Sequence, residues 1–273
     1  GQDRKNSVIT GHPKFDLYRK NYRSFFADEV DSIKNRFSKS ILIDTMYTLA
    51  NHCYGGEYAH SILSDISDMH DRILETEEWA YQYQILGKMV LLAVKLSDKF
   101  KDWNIVIRPH PGEDIKIYEE LCLNIDNIFV ENKGPVSPWI LASSVLIHNN
   151  CSTAIEANIG EIPVISYDPV PYANKVNIAN HSGILCTSER EVFDVINKIN
   201  ENKEELTSNC FATEDKDMLL NISKNSFDSF DLTVSAIDKS ILELPKKSIV
   251  PSTVSLKIIE LNIFEISFWS KDC

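Results

Sequence analysis

Two short motifs carry the residues whose types suit the binding of an anion. The first, Arg108-Pro109-His110-Pro111, ends a run of consecutive β-branched residues at 105–107, and the second, Ser152-Thr153, follows another β-run at 145–147. Consecutive β-branched residues are typical of a parallel strand that is covered on both faces. Ligands of open parallel α/β sheets bind outside the carboxyl ends of the strands, so both motifs are predicted to border one crevice.

The Ser152-Thr153 pair stands where a helical pattern begins, at Ala154. Hydroxyl groups and backbone N–H groups at a helix start can hold a phosphate or a carboxylate. The helix dipole contributes roughly 0.3–1 kcal/mol, and each charge-assisted hydrogen bond contributes about 1.5–3 kcal/mol. Simpler alternatives stay open at this point: an ordinary helix cap for the hydroxyl pair, and a loop histidine between two prolines for His110.

Alternating β-runs and helical patterns surround these motifs. The β-runs lie at 40–44, 104–107, 128–130, 145–147, 163–166 and 183–186, and the helical patterns at 22–36, 77–100, 114–122, 137–142, 152–159 and 188–199. This alternation predicts an α/β fold with a Rossmann-like, doubly wound parallel sheet. We divide the chain into a linker and entry helix (1–40), a Rossmann-like domain (41–202) and a helical or irregular C-terminal extension (203–273) without an assigned function.

Composition excludes several classes of protein. A chain of 273 residues with 43% hydrophobic and 25% charged residues has the balance of a soluble globular protein with a sizeable core. It has no apolar run of about 18 residues and no signal peptide, which predicts a cytoplasmic protein without membrane spans. The net charge of −12, with no local basic patch, argues against a nucleic-acid partner.

The six cysteines are scattered, and no two have CxxC spacing. This spacing argues against a zinc cluster and for a reducing compartment. Cys151 begins a predicted helix, where the pKa of a thiol can fall. We interpret it as a small residue that fills a tight turn rather than as a nucleophile.

Longer motifs around these residues resemble the C-terminal domain of GT-B glycosyltransferases. Residues 108–113 read RPHPGE, residues 148–157 read HNNCSTAIEA and residues 160–165 read GEIPVI, while residues 11–17 fit the entry into that domain. Within the fold, the chain is most similar to bacterial surface carbohydrate biosynthesis proteins, relatives of the capsule and lipopolysaccharide Kdo transferases. The paired motifs are also similar to those with which sialyltransferases and polysialyltransferases bind the CMP part of their donor. The resemblance covers about residues 11–200.

The resemblance implies a nucleotide-sugar donor, with a CMP-sugar favoured, and neither a metal nor another cofactor. Arg108 and His110 are the implied catalytic residues, which would neutralise the anionic groups of the donor. The implied donor-binding residues are Arg108, His110 and Glu113 in the first motif, Asn149, Asn150, Ser152, Thr153 and Glu156 in the second, and Thr45 and Asn51 in the loop after the first strand. Ser152 and Thr153 would hold the phosphate, and Glu156 would accept hydrogen bonds from ribose hydroxyls. Asp44 departs from the family pattern, because an extra carboxylate repels phosphate.

The implied reaction is transfer of an ulosonic acid, such as Kdo or a sialic-acid-like sugar, from a CMP-activated donor to a surface polysaccharide or glycolipid. The implied setting is the cytoplasm, with association at the inner face of the membrane or with other assembly enzymes as an option. GT-B enzymes usually keep the acceptor site and a catalytic carboxylate in an N-terminal domain, so this chain is expected to be the donor-binding half. The alternatives are a CDP-glycerol or CDP-ribitol phosphotransferase, a GT-B-like UDP-sugar epimerase and a non-catalytic binding domain.

Overall fold

The computed structural model describes residues 13–171 and 178–201 and contains one parallel sheet. Its strands are β1 (Ser40–Asp44), β2 (Asn104–Arg108), β3 (Ile128–Val130), β4 (Val145–His148), β5 (Val164–Tyr167) and β6 (Ile184–Cys186). They lie in the order β3-β2-β1-β4-β5-β6, and each neighbouring pair is parallel. The predicted Rossmann-like doubly wound sheet is confirmed. The extension at 203–273 lies outside the described residues.

Helices alternate with these strands. They are α1 (Pro13–Asp16), α2 (Ala27–Arg36), α3 (Gly56–Asp65), α4 (Met69–Lys99), α5 (Ile115–Leu121), α6 (Val136–Ala142), α7 (Thr153–Ile159) and α8 (Glu189–Glu201), with 3₁₀ turns at Arg23–Phe26 and Ile178–His181. The predicted helix at 77–100 starts earlier, at Met69, because the Asp68 carboxylate accepts hydrogen bonds from the N–H groups of His70 and Asp71. Helix α3 had not been predicted.

Both faces of the sheet are buried. Ile41 and Ile43 of β1 pack in the cluster that contains the apolar face of α4, whereas Leu42 packs in a second cluster that includes residues of α6 and α7. Fully burying a side chain of this size stabilises the fold by roughly 1.5–3 kcal/mol. Burial on both sides accounts for the continuous apolar strands seen in the sequence.

Helix α8 begins with the capping box that the sequence predicts. The Glu191 carboxylate accepts a hydrogen bond from the Ser188 N–H at 3.2 Å, and the Glu191 N–H donates to the Ser188 hydroxyl at 3.4 Å. Two N–H groups that the helix itself cannot satisfy are therefore paired.

The cysteines of the described ranges include both free thiols and a disulfide-bonded residue. Cys122, Cys151 and Cys186 are free and buried. Cys53 is disulfide-bonded, which differs from the reduced state that the scattered cysteines had suggested. Within the described ranges, no group of three or more His, Cys, Asp or Glu residues is arranged to hold a metal, and no helix is long and apolar enough to cross a membrane.

Candidate functional site

The strand order changes direction between β1 and β4. The chain runs outward from β1 to β2 and β3 on one side, and β4 then starts the other half on the opposite side of β1. Such a switch point opens a crevice at the carboxyl ends of the two central strands. Asp44 at the end of β1 is the register partner of both Arg108 on β2 and His148 on β4, and His148 in turn is the partner of Ser166 on β5. A row of polar residues therefore forms the carboxyl edge of the sheet.

The loop after β1 is joined to the loop after β2. The Cys53 N–H donates to the Gly112 carbonyl at 2.9 Å, and the Asp114 N–H donates to the Asn51 carbonyl at 3.1 Å. The side-chain amide of Asn51 also donates to the Asp114 carbonyl, at 2.8 Å. The structure therefore places Asn51, predicted as a donor contact, at the joint between the two loops.

Glu113 organises the same two loops from within. Its buried carboxylate accepts hydrogen bonds from the Thr45 hydroxyl at 2.7 Å, from the His110 N–H at 2.9 Å and from the Tyr118 hydroxyl. Burial raises the pKa of Glu113, and these hydrogen bonds oppose the rise. Three predicted site residues, Thr45, His110 and Glu113, are thus brought together, with Thr45 and Glu113 supporting the loop that carries His110.

The ring of His110 is half-buried at the mouth of this loop. Its Nδ1 accepts a hydrogen bond from the Gly112 N–H at 3.0 Å, and burial lowers its pKa. A neutral imidazole whose Nδ1 is an acceptor carries its proton on Nε2, so Nε2 is a donor. A Cβ atom at Gly112 would lie 3.1 Å from the Thr48 methyl and 3.3 Å from the His110 Nδ1, so the close turn favours glycine.

Arg108 is buried and donates hydrogen bonds within its own neighbourhood. Its guanidinium donates to the carbonyls of Glu131 at 3.3 Å, Lys133 at 3.2 Å and Gly134, and it lies 5.2 Å above the ring of Trp139. These contacts hold the loop between β3 and α6. A bidentate pairing with a donor anion would require Arg108 to exchange some of these carbonyls, so its predicted role remains a prediction.

His148 and Asn149 are fully buried behind the crevice. Nε2 of His148 donates to the Ser182 carbonyl at 2.9 Å, and its Nδ1 accepts from the Cys151 N–H at 3.3 Å. Burial lowers the pKa of His148 to about 4, so this ring is neutral. The Asn149 amide accepts from the Tyr81 hydroxyl at 2.9 Å and donates to the Tyr167 carbonyl at 2.8 Å, which ties the end of β4 to α4 and β5.

Asn150 forms the sharp turn that leads into α7. It has a φ of 65°, in the left-handed region that asparagine tolerates better than most residues. Its N–H donates to the side chain of Asn180 at 2.7 Å. The predicted contact Asn150 thus redirects the chain from β4 toward the start of α7.

The hydroxyl pair lies at the start of α7. Ser152 is exposed and occupies the N-cap position, where its side chain makes no capping hydrogen bond. The Thr153 hydroxyl donates to the Cys151 sulfur at 3.0 Å. Burial raises the pKa of Cys151 to about 12, so it remains a thiol, in agreement with its interpretation as a turn residue rather than a nucleophile.

Glu156 faces the entry segment of the chain. Its buried carboxylate accepts a hydrogen bond from the Lys14 ammonium at 2.7 Å and another from the Tyr18 hydroxyl, which also lies 2.7 Å from the Ser137 hydroxyl. The ribose contact predicted for Glu156 would compete with these partners. Sequence reasoning missed Lys14 and Tyr18, and only their position in the motif-like segment 11–17 and directly after it pointed to them.

Asp44 is the residue of the site whose environment the sequence did not reveal. Its side chain is 3% exposed, and neither carboxylate oxygen has a hydrogen-bond partner within the described part of the chain. Burial raises its pKa to about 7, and the nearby Thr153 hydroxyl and the charge of Arg108 moderate the rise.

Comparison with known proteins identifies the fold. No protein-family model matches the sequence, and no curated protein matches it. A solved structure of the wall teichoic acid polymerase TagF, in its H444N form soaked with CDPG, is similar over 89% of this chain and 53% of its own length, with 14% identity and a TM-score of 0.50. UDP-GlcNAc 2-epimerases from Neisseria meningitidis (12% identity, 85% of this chain and 54% of that one) and Methanocaldococcus jannaschii (13%, 83% and 54%) have lower TM-scores of 0.45 and 0.46.

The likeness to the teichoic acid polymerase is one of fold. This chain spans about half of the length of the solved structures that it matches. Together with the strand order β3-β2-β1-β4-β5-β6, the likeness supports the GT-B resemblance at a coarse level, without favouring Kdo transferases or sialyltransferases. The molecule is therefore an α/β protein with a Rossmann-like, GT-B-type fold.

Proposed function

We propose that residues 41–201 form the donor-binding domain of a glycosyltransferase that uses a nucleotide-sugar. The observation that carries this proposal is the strand order, in which His110 follows β2 and the Ser152-Thr153 pair follows β4, the two strands that flank β1 at the switch point. In open α/β sheets this crevice is where nucleotides bind. His110 and the two hydroxyl groups of Ser152 and Thr153 are neutral groups that can donate hydrogen bonds, which suits a phosphate.

Each hydrogen-bond donor group has a separate task in the proposed site. The neutral ring of His110 offers its Nε2–H because Nδ1 is already satisfied by Gly112. Ser152 offers an exposed hydroxyl at the opposite side of β1. Donors that are fixed in place stabilise the negative charge that grows on a departing phosphate, and so they lower the barrier to glycosyl transfer.

The finer proposal is a CMP-activated ulosonic acid, transferred to a surface polysaccharide or glycolipid in the cytoplasm, at the inner face of the membrane. The motif resemblance at residues 108–113 and 148–157 supports it. An acceptor site and a catalytic carboxylate would then come from a further domain, as in GT-B enzymes. Transfer by the complete protein is thus part of the proposal, whereas donor binding is the part assigned to this chain.

A CDP-linked donor is the second candidate. The solved structure with the TM-score of 0.50 is a teichoic acid polymerase soaked with CDPG, which supports a phosphotransferase that uses a CDP-linked polyol. Both candidates share a cytidine nucleotide. A UDP-sugar epimerase or a non-catalytic binding domain would not select cytidine.

Calorimetric titration of the chain with CMP, CDP, UMP, UDP and ADP tests the proposal. We expect the cytidine nucleotides to bind more tightly than the uridine and adenine nucleotides. Tighter CMP would favour the ulosonic acid donor, and tighter CDP would favour the polyol phosphate donor. UDP binding at least as tightly as CMP and CDP would overturn the cytidine assignment, and the absence of any nucleotide binding would overturn the donor-binding function.

A further inference from the structure

The Asp44 carboxyl group is buried at the centre of the candidate site without a hydrogen-bond partner. It is 3% exposed, and its register partners Arg108 and His148 flank it on the two neighbouring strands. Neither of its oxygens is satisfied by any residue in the described ranges. Buried polar groups are normally paired, and an unpaired buried carboxylate is expensive. Asp44 therefore requires either a proton or a partner that arrives with a ligand.

The charged groups around Asp44 are already engaged with other partners. The titratable groups near it are Arg108 on β2, His148 on β4, Cys151 before α7, Glu156 on α7, Lys14 on α1 and Tyr18 after α1. The guanidinium of Arg108 donates to three carbonyls, and Lys14 pairs with Glu156 at 2.7 Å. His148 and Cys151 are neutral, with pKa values of about 4 and about 12. Burial is thus the largest influence on Asp44 and raises its pKa to about 7.

Thr153 is the hydroxyl residue that links Asp44 to the crevice. It is half-buried, and its hydroxyl is near enough to Asp44 to lower the pKa of the carboxyl, although the two groups do not meet hydrogen-bond geometry. In the structure the Thr153 hydroxyl donates to the Cys151 sulfur at 3.0 Å, and sulfur is a weak acceptor. The hydroxyl has a single proton, so it can serve only one strong acceptor at a time.

The protonation state of Asp44 decides which acceptor receives that proton. A protonated carboxyl donates to the Thr153 oxygen, which leaves the Thr153 O–H free to donate to an anion in the crevice. An ionised carboxylate accepts the Thr153 proton instead, and its charge also repels the anion. Both effects weaken anion binding when Asp44 is ionised.

We propose that Asp44 is a positioning residue that holds a proton and thereby aims the Thr153 hydroxyl at the phosphate of a bound nucleotide. This inference rests on the proposed nucleotide site and identifies how one of its donors is controlled. It also gives the departure from the family pattern at Asp44 a function: a neutral carboxyl does not repel phosphate.

The test compares CMP affinity in the wild type and in the Asp44→Asn variant between pH 6 and pH 8. The amide of the variant donates to Thr153 as the protonated acid does, but it does not titrate. Only the protonated fraction of the wild type binds well, and with a pKa of about 7 this fraction falls roughly tenfold over that range. We expect the ratio of the two dissociation constants to change by about that factor. The phosphate of CMP titrates equally in both measurements, so it cancels in the ratio.

Two controls separate this role from a structural one. In a Thr153→Val background, Asp44→Asn should no longer change the pH profile through the hydroxyl, so most of the pH-dependent ratio should disappear. The unfolding midpoint, measured without nucleotide, tests whether Asp44 holds a proton in the folded protein. Because the folded pKa of Asp44 is raised, wild-type stability should fall relative to Asp44→Asn as the pH rises from about 4 to about 7, and the difference should then level off.

The outcomes are distinguishable. A ratio of CMP affinities that stays constant from pH 6 to pH 8, or a stability difference that does not change with pH, overturns the role of Asp44 while leaving nucleotide binding intact. If CMP and CDP bind neither protein at any pH, the proposed function fails, and the role of Asp44 fails with it. A ratio that changes and that requires Thr153 supports both.

Discussion

The Glu113 carboxylate accepts a hydrogen bond of 2.7 Å from the Thr45 hydroxyl and so ties the exit of β1 to the loop that follows β2. The same carboxylate also accepts from the His110 N–H and from the Tyr118 hydroxyl. The position of His110 therefore depends on a residue that need not contact any ligand. This relationship separates residues that would bind the donor from residues that hold the binding loops.

Replacing Glu113 tests this separation. Glu113→Ala leaves the Thr45 hydroxyl, the Tyr118 hydroxyl and the His110 N–H without their acceptor, and each buried unsatisfied group costs about 1–3 kcal/mol. We expect the free energy of unfolding to fall by about 3 kcal/mol or more, measured by chemical denaturation. Glu113→Gln keeps an acceptor and should cost about 1 kcal/mol. Equal losses in the two variants would contradict the role of Glu113 as an acceptor.

His110→Ala should weaken nucleotide binding without destabilising the fold. A hydrogen bond to a charged group contributes about 1.5–3 kcal/mol, so the dissociation constant for CMP should rise by roughly one to two orders of magnitude. The melting temperature should change little, because the ring is half-buried in a loop. His70→Ala, at an exposed position at the start of α4, is the matched control. Unchanged affinity in His110→Ala would remove it from the site.

The pairing of Glu156 with Lys14 and Tyr18 separates a structural role from a ribose contact. Glu156→Ala removes the acceptor of the buried Tyr18 hydroxyl and the partner of Lys14, and we expect a loss of about 2–3 kcal/mol in stability. The ratio of affinities for CMP and 2′-deoxy-CMP should stay at its wild-type value in Glu156→Gln. A ratio that falls toward one in the variant would instead establish the ribose contact that the family resemblance implies.

The burial of His148 should make the stability of the fold sensitive to acid. Its pKa falls to about 4 on burial, from an unfolded value near 6.5. Because the folded pKa is lowered, its contribution is fully present above about pH 6.5 and is lost as the pH falls toward 4, by about 3 kcal/mol in total. The free energy of unfolding, measured by chemical denaturation, should therefore fall more between pH 7 and pH 4 in the wild type than in His148→Gln. Parallel pH dependence in the two proteins would show that His148 does not titrate in this window.

The sheet could be predicted from sequence because its strands are continuous apolar runs between turn residues. Helix α3 could not, since it begins at Gly56 directly after Gly55, both turn-type residues, and it has only one buried residue, Ala59.

The candidate site was predictable in its motifs but not in its pairings. Spacing along the chain indicated that His110 and Ser152 each follow a strand of one parallel sheet. It could not indicate that Glu113 accepts a hydrogen bond from Thr45, 68 positions away in the sequence, or that Lys14 donates one to Glu156, 142 positions away. Burial of Asp44 next to Thr153 likewise depends on how β1 and β4 pair in the sheet. Contacts between elements distant in sequence leave no local pattern to read.

The charge of the anion site can be tested most directly at Ser152. This residue is exposed at the N-cap of α7, whereas Thr153 lies beside the buried Asp44, so a new carboxylate at 153 would add repulsion that has nothing to do with a ligand. Ser152→Asp introduces a negative charge where the helix start favours one, and aspartate is a preferred N-cap residue. We expect the unfolding free energy to stay within about 0.5 kcal/mol of the wild type or to rise slightly.

CMP affinity should respond in the opposite direction. A carboxylate at 152 would occupy the place of the phosphate and repel it, so the dissociation constant measured by calorimetry should rise at least tenfold, and this loss should shrink as salt screens the charge. Ser152→Asn has nearly the same shape and capping ability but no charge, and it should retain most of the wild-type affinity. If Ser152→Asp binds CMP as tightly as Ser152→Asn does, no anion is held at the start of α7. A carboxylate at position 152 would repel any phosphate within hydrogen-bonding distance of it.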